Sequence, residues 1–189
     1  MPVIKTVEPA SEPVTLAEAK AHCRVEVSDD DAYITALITG VRIVAEQELQ
    51  RTLITSTYKL ILDGFPSDQI DLPYPVLQSV TSLKYYDEAG VQQTLSAGLY
   101  RVDAVGQPGS ISTTDAWPKT QSRQDAVEVV YVAGWTAAAN VPQNIKQWML
   151  MRIETLYDTR ADFSVGRGLV SIDMPFANSL LDPHRVWVM

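Results

Sequence analysis

Two long stretches of helical periodicity flank a long segment of β-type patterning, and this order constrains the fold more than any other feature. Apolar residues recur at helical spacing between Asp31 and Gln50 and again between Pro142 and Arg160. Between these stretches lie short apolar runs separated by glycine, proline and aspartate, which is typical of antiparallel strands. Because amphipathic helices must bury their apolar faces, we predict that the two helices pair and that the β-rich segment is inserted between them.

The predicted fold class is α+β, with a helical core, an inserted antiparallel β-rich block and an extended C-terminal tail. Residues 1–14 contain three prolines and are predicted to form an extended N-terminal arm. The helical core is assigned to residues 15–51 and 141–160, the β-rich block to residues 52–135, and the tail to residues 161–189. The tail lacks core periodicity, so it is expected to lie outside the core.

Two helix starts can be read directly from the sequence. Thr15-Leu-Ala-Glu18 matches a capping box and predicts a helix over residues 16–24. Ser28 followed by three aspartates predicts a second helix that begins at Ser28 and runs to about Gln50, because Ser is a good N-cap and acidic side chains complement the helix dipole.

Each of the two long helices carries a second apolar stripe besides its main apolar face. The main face of the first helix comprises Ile34, Leu37, Ile38, Val41, Ala45 and Leu49, and that of the last comprises Ile145, Trp148, Met149, Ile153 and Leu156. The second stripes comprise Ala36, Gly40 and Ile43 on the first helix and Leu150 and Tyr157 on the last. A helix with two apolar faces requires two partners, so the second stripes are candidate interfaces.

The composition restricts the function classes. With 46% hydrophobic residues the chain can form an ordinary core, and its single cysteine, Cys23, excludes an intramolecular disulfide. The net charge of −8 and the lack of a Lys/Arg cluster argue against specific nucleic-acid binding. No apolar run approaches the roughly 20 residues of a membrane helix. We therefore expect neither a signal peptide nor a membrane span.

Residues with catalytic or metal-binding potential are few and scattered. His22 and Cys23 are adjacent on a helix, so they point about 100° apart and cannot act on each other. His184 has no second ligand at metal-binding spacing, and the aspartates at 63 and 71 border predicted turns. We therefore predict no enzyme activity, no metal and no cofactor. A small hydrolase using Asp63, Asp71 or His184 is the weakest of the alternatives.

The aromatic residues of the β-rich block support a different alternative. The block carries Tyr85, Tyr86, Tyr100, Trp117 and Tyr131. Aromatic rings on a sheet surface can stack against sugars or peptides. A monomeric carbohydrate- or peptide-binding module that uses this block is therefore the second hypothesis.

An ordered set of short motifs runs along the chain. The motifs are Glu12-Pro-Val-Thr-Leu-Ala-Glu-Ala-Lys20, His22-Cys-Arg-Val25, Asp29-Asp-Asp-Ala32, Leu53-Ile-Thr55, Leu62-Asp-Gly-Phe-Pro66, Pro75-Val-Leu-Gln-Ser-Val80, Tyr100-Arg-Val-Asp103, Trp117-Pro118, residues 129–134, Val141-Pro-Gln-Asn-Ile-Lys146 and Leu180-Leu-Asp-Pro-His-Arg185. Together they resemble the head–tail connector, or adaptor, proteins of long-tailed phages and prophages. The sequence departs from the family at two of these positions, since Cys23 replaces a usual leucine and His184 a usual aromatic residue. Residues 162–178 match no motif of the family.

The resemblance implies a structural, non-enzymatic subunit of the virion neck, assembled in the host cytoplasm. It implies partners in copies of the same chain, forming a ring that is commonly dodecameric, and in the portal and a stopper or tail-completion protein. It also implies that DNA crosses the lumen without specific binding and that no membrane is involved. The helical part would carry ring contacts, and the tail would engage the portal. The candidate interface residues are Gly40, Ile43, Leu150, Tyr157, Leu180, Leu181, His184, Arg185 and Trp187.

Overall fold

A computed structural model describes residues 2–159 and 175–186 of the chain. The predicted α+β class is confirmed, because the α-helices and most strands of the antiparallel sheets occupy separate stretches of sequence in these residues. The helices are α1 (Leu16–Cys23), α2 (Asp31–Leu49), α3 (Gln143–Thr159) and α4 (Pro175–Ser179). The strands are β1 (Val3–Val7), β2 (Ser56–Leu62), β3 (Gln69–Leu72), β4 (Leu77–Tyr86), β5 (Gln92–Thr94), β6 (Tyr100–Asp103), β7 (Gly109–Thr113) and β8 (Val127–Ala133).

The chain divides into two compact units, each built from two separate stretches of sequence. The β unit comprises Met1–Ala10 and Ile54–Thr136, and the helical unit comprises Ser11–Leu53 and Ala137–Met189. No described helix combines the length and the apolar character that crossing a bilayer requires.

The capping box predicted at the start of α1 is present. Thr15 Oγ1 accepts a hydrogen bond from the Glu18 backbone N–H at 3.1 Å, and Glu18 Oε2 accepts from the Thr15 N–H at 2.7 Å. These hydrogen bonds from Thr15 stabilise the carboxylate and lower the pKa of Glu18. The helix ends at Cys23, and Arg24 adopts the left-handed conformation typical of a C-terminal cap.

The predicted start of α2 at Ser28 is wrong by two residues. The N-cap is Asp30, whose side chain makes no capping hydrogen bond, and helical geometry begins at Asp31. Ser28 instead accepts the Asp31 N–H through its backbone carbonyl at 3.1 Å, so it closes a turn before the helix. The carboxylate of Asp31 pairs with Lys20 of α1.

The main faces of α2 and α3 form the core of the helical unit. The buried apolar residues are Ile34, Ile38, Val41, Ala45 and Leu49 of α2, Ile145, Trp148, Met149 and Ile153 of α3, and Ala19 of α1. Leu156, predicted to share the main face of α3, is 36% exposed, so it lies at the border of this core rather than within it. The pairing of the two long helices is as predicted.

The β unit contains two antiparallel sheets that share one core. The five-stranded sheet has the order β1-β2-β8-β4-β5, and the three-stranded sheet has the order β3-β7-β6. Residues alternate between buried and half-buried along β2 and β8, which is the period-two pattern of a sheet with one face in the core. The shared core contains Leu60 and Val129 of the five-stranded sheet and Ile111 of the three-stranded sheet. Tyr131 donates its hydroxyl hydrogen to the Pro73 carbonyl at 2.9 Å.

The start of the chain forms a strand that the sequence analysis does not predict. Residues 3–7, placed in the extended arm, pair antiparallel with β2, with Val3 opposite Leu60 and Ile4 opposite Lys59. A register shift between Lys5 and Val7 bends this edge strand. The strand completes the outer edge of the five-stranded sheet.

A buried guanidinium links three segments of the helical unit. Arg42 of α2 is 3% exposed, and its Nε donates to Glu12 Oε2 at 2.7 Å while its Nη1 donates to Glu46 Oε2 at 3.1 Å. The other oxygen of Glu12 accepts from Thr39 Oγ1 at 2.9 Å, and Glu46 Oε1 accepts from the Leu53 N–H at 3.0 Å. The network therefore holds both ends of the 11–53 stretch against the middle of α2.

We expect Arg42→Met to lower the free energy of unfolding by about 3–5 kcal/mol, because the substitution leaves two largely buried carboxylates without their cation. Urea denaturation measures the change. Lys119→Met is the control, since Lys119 is 83% exposed and 3.9 Å from Glu88, and removing an exposed ion pair changes stability by no more than about 1 kcal/mol. Equal effects of the two substitutions would contradict a structural role for the Arg42 network.

Gly109 of β7 generates a second prediction, because a side chain has no room there. A Cβ at this position would lie 2.8 Å from Leu77 Cβ and 3.0 Å from the Asp103 carbonyl oxygen. We expect Gly109→Ala to destabilise the β unit by about 1–3 kcal/mol through overpacking. Gly98→Ala is the matched control, since nothing lies within 4 Å of its added Cβ. Thermal unfolding should separate the two variants, and a stable Gly109→Ala protein would show that β7 can move away from Leu77.

Candidate interface

The second stripe of α2 is exposed, as an interface requires. Ile43 is 44% exposed and the neighbouring Val44 46% exposed, while Ala36 and Gly40 are also exposed. A Cβ added at Gly40 would meet nothing within 4 Å, so the surface there is open. These observations are compatible with a partner on this face, and the interface role of Gly40 and Ile43 stays a prediction.

A groove lies beside this stripe, between α2 and α3. It has a volume of about 280 Å³. Trp148 is buried in the core, whereas Val44 and Leu156 remain exposed at the surface. The Arg152 guanidinium lies 5.4 Å from the centroid of the Trp148 ring, and its Nη2 donates to Asn178 Oδ1 at 3.2 Å. The lining residues are Val41, Val44, Trp148, Arg152, Thr155 and Leu156.

The two residues of the second stripe predicted on α3 differ in their surroundings. Leu150 is partly exposed and remains a candidate contact. Tyr157 is used within the helical unit, since its hydroxyl donates to Asp30 Oδ2 at 2.6 Å and its ring lies 6.2 Å from that of Tyr33. Tyr157 therefore helps to position the N-terminus of α2, and only part of its ring is available to a partner.

The described end of the chain packs onto the helical unit, contrary to the expectation that the tail lies outside the core. Ala177 and Leu181 are each 1% exposed, so Leu181 offers little surface to a partner. Asn144 Nδ2 donates to the Leu180 carbonyl at 2.8 Å, and Trp148 Nε1 donates to Asn178 Oδ1 at 3.3 Å. The roles of Asn144 and Asn178 could not be predicted from the sequence, because side-chain hydrogen bonds of this kind leave no periodic signal.

His184 and Arg185 are held by polar contacts within the helical unit. His184 Nε2 lies 3.0 Å from Asn144 Oδ1, and the His184 carbonyl accepts from Arg51 Nε at 3.1 Å. Arg185 Nη2 is 3.2 Å from Glu48 Oε2. Both side chains are half-buried, so they could reach a partner only in part. The remaining candidate, Trp187, lies outside the described residues.

The structure brings together no catalytic pair from the predicted residues. His22 Nε2 lies 3.2 Å from Glu154 Oε2 in an ion-pair arrangement. Burial raises the pKa of the Cys23 thiol, and Glu154 and Asp158 raise it further, so a reactive thiolate is disfavoured. Asp63 and Asp71 are exposed, and Asp71 accepts from Gln69 at 2.7 Å. No group of metal-ligating side chains occurs within residues 2–159 and 175–186.

The tyrosines of the β unit are engaged in packing rather than displayed for a ligand. Tyr131 is fully buried and stacks on Tyr58 with ring centroids 5.6 Å apart. Tyr85 packs against Phe65 at 5.7 Å, and Tyr86 lies beneath the Arg123 guanidinium at 3.8 Å. Nothing in this arrangement favours the carbohydrate- or peptide-binding alternative.

Comparison with known families supports the resemblance found in the sequence. Residues 13–98 match the model of the family described as Phage gp6-like head-tail connector protein. The resemblance is thereby confirmed, and the matched stretch contains α1, α2 and strands β2 to β5. No curated protein matches the chain.

Three solved structures with the same fold come from gene transfer agent particles. A chain in the neck of an empty gene transfer agent particle, computed with C6 symmetry, superposes with a TM-score of 0.82 at 21% identity and covers 100% of this chain and 97% of its own. A chain in the virion of the native particle gives the same values. A chain in the native neck computed with C12 symmetry gives a TM-score of 0.74 at 21% identity with the same coverage. At 21% identity, the similarity to these structures shows the fold of this chain.

The contacts of His184 predict that docking of the C-terminal segment depends on pH. Burial lowers the pKa of His184, and the nearby Arg51 guanidinium lowers it further. The neutral ring is therefore favoured in the folded state, so its contribution to stability is present above the ordinary pKa of about 6.5 and is lost as the pH falls below it. We expect denaturation midpoints to fall less between pH 7.5 and 5.5 in His184→Gln than in the wild type. An identical fall in both proteins would contradict the assignment.

Proposed function

We propose that this chain is a non-enzymatic structural subunit of the neck of a phage-like particle, where it connects the DNA-filled head to the tail. The observation that carries the proposal is the combination of a connector-family match over residues 13–98 with a neck-protein fold along the whole chain. The first comparison uses the sequence, and the second uses the backbone geometry.

In the finer form of the proposal, copies of the chain form a ring, twelvefold in the virion, beneath the portal. The C12 symmetry of one related neck supports this number. A stopper or tail-completion protein binds the other side of the ring. The net charge of −8 suits a lumen through which DNA passes, because an acidic wall repels the phosphate backbone and does not hold it.

The exposed helical surfaces are assigned to assembly in this proposal. The second stripe of α2, with Gly40 and Ile43, and Leu150 of α3 meet a neighbouring copy. The docked C-terminal segment, with Leu180, His184 and Arg185, meets the portal. Trp187 is assigned to the same portal contact on the basis of sequence. Assembly takes place in the host cytoplasm before the tail joins.

The test is whether particles lacking this protein are completed when it is added back. We expect heads made without the gene to remain tailless and to gain tails with the wild type, while Ile43→Asp completes few or none. Infectious titre and negative-stain imaging measure the outcome. Val27→Asp is the matched control, since Val27 is 60% exposed outside any helix and should tolerate the charge. Normal particles in the absence of the gene would end the proposal.

A further inference from the structure

The most exposed large apolar side chain among the described residues lies on an ordered turn. Val105 is 90% exposed in the connection between β6 and β7. Asp103 Oδ1 accepts from the Val105 N–H at 2.9 Å and from the Gly106 N–H at 3.2 Å. These two bonds pre-order the turn, so the valine is presented as a knob with little further loss of conformational entropy on binding. The acidic side chain of Asp103 stands beside it.

The groove between α2 and α3 has the complementary properties. Val44 and Leu156 give it an apolar rim, and its volume of about 280 Å³ can receive a branched aliphatic side chain. Arg152 adds a positive charge within this apolar lining. The contacts described for Arg152 are with neutral groups, the Asn178 amide oxygen and the Trp148 ring. An apolar knob accompanied by a carboxylate therefore matches the groove in both shape and charge.

We propose that the groove of one copy of this chain receives the Val105 knob of the neighbouring copy, with Asp103 next to Arg152. The contact is heterologous, because the knob and the groove are different surfaces of the same chain. Contacts of this type close into a ring when the rotation between neighbours divides a full turn, and otherwise they continue as an open filament. The inference rests on the proposed ring and adds the two surfaces that join its subunits.

Disulfide trapping between two populations tests the contact. One population carries Val105→Cys and the other Val44→Cys, each in a Cys23→Ser background so that no other thiol is present. After mixing and mild oxidation, the yield of the crosslinked dimer is measured on a non-reducing gel. Because a docked pair has an effective concentration far above that of free encounters, we expect at least about a tenfold excess over the control mixture.

The control mixture pairs Val44→Cys with Val91→Cys. Val91 is 54% exposed beside the β4–β5 turn, so a thiol there is accessible but lies on a different hairpin. The Val105→Cys population or the Val44→Cys population, oxidised alone, should give no excess of crosslinked dimer, since the contact joins unlike surfaces. Adding Arg152→Gln to the Val44→Cys population should lower the yield of crosslinked dimer. It should also make this yield depend less on salt, because salt screens the proposed ion pair between Asp103 and Arg152, which the substitution removes.

The outcomes separate this contact from the proposed function. Equal yields in the knob and control mixtures overturn the contact, and rings of the wild type seen by native mass spectrometry would then still support the neck role. A selective crosslink together with normal tailed particles in the absence of the gene would support the contact and contradict the neck role. An excess from the Val105→Cys population alone would show like surfaces meeting, and it would overturn the heterologous arrangement.

Discussion

The helical unit depends on the burial of one permanent charge. The guanidinium of Arg42 cannot lose its proton inside a protein, so its burial requires carboxylates close at hand, and Glu12 and Glu46 provide them. Glu12 lies near the point where the chain enters the helical unit, and Glu46 also binds the Leu53 amide where the chain leaves it. The network therefore sets the position of α2 within its own unit, and with it the direction of each face.

The outward faces follow from that placement. Since Ile34, Val41 and Leu49 are buried against the other helices, helical geometry turns Gly40 and Ile43 toward the surface. The apolar character of this outer stripe contributes nothing to the core of the single chain. In an assembly it would bury area that a monomer leaves exposed, which is the usual reason for a helix to be apolar on two sides.

Periodic burial made most of the fold predictable from the sequence, while contacts without a period did not. Apolar residues repeat at helical spacing on the faces of α2 and α3, and the strands of the β-rich block are short apolar runs between turn residues. The capping box at Thr15 is a local motif that the sequence also shows. The pairing of β1 was missed because the prolines on either side of it, Pro2 and Pro9, indicated an extended arm. The docking of the C-terminal segment was missed because the side-chain hydrogen bonds of Asn144 and Asn178 leave no periodic pattern in the sequence. Among the candidate interface residues, sequence could identify exposed stripes on helices, but it could not show that Leu181 is buried.

The interleaved order of the two units has a consequence for how the chain is made. Val3 pairs with Leu60, so the first strand of the β unit must wait for more than fifty residues of later sequence before it has a neighbour. The core of the helical unit likewise lacks α3 until the whole β unit has left the ribosome. Contacts between such distant residues close large loops and are expected to form slowly. The apolar face of α2 is therefore exposed for much of synthesis, and nascent chains on one polysome would be the first neighbours that it meets.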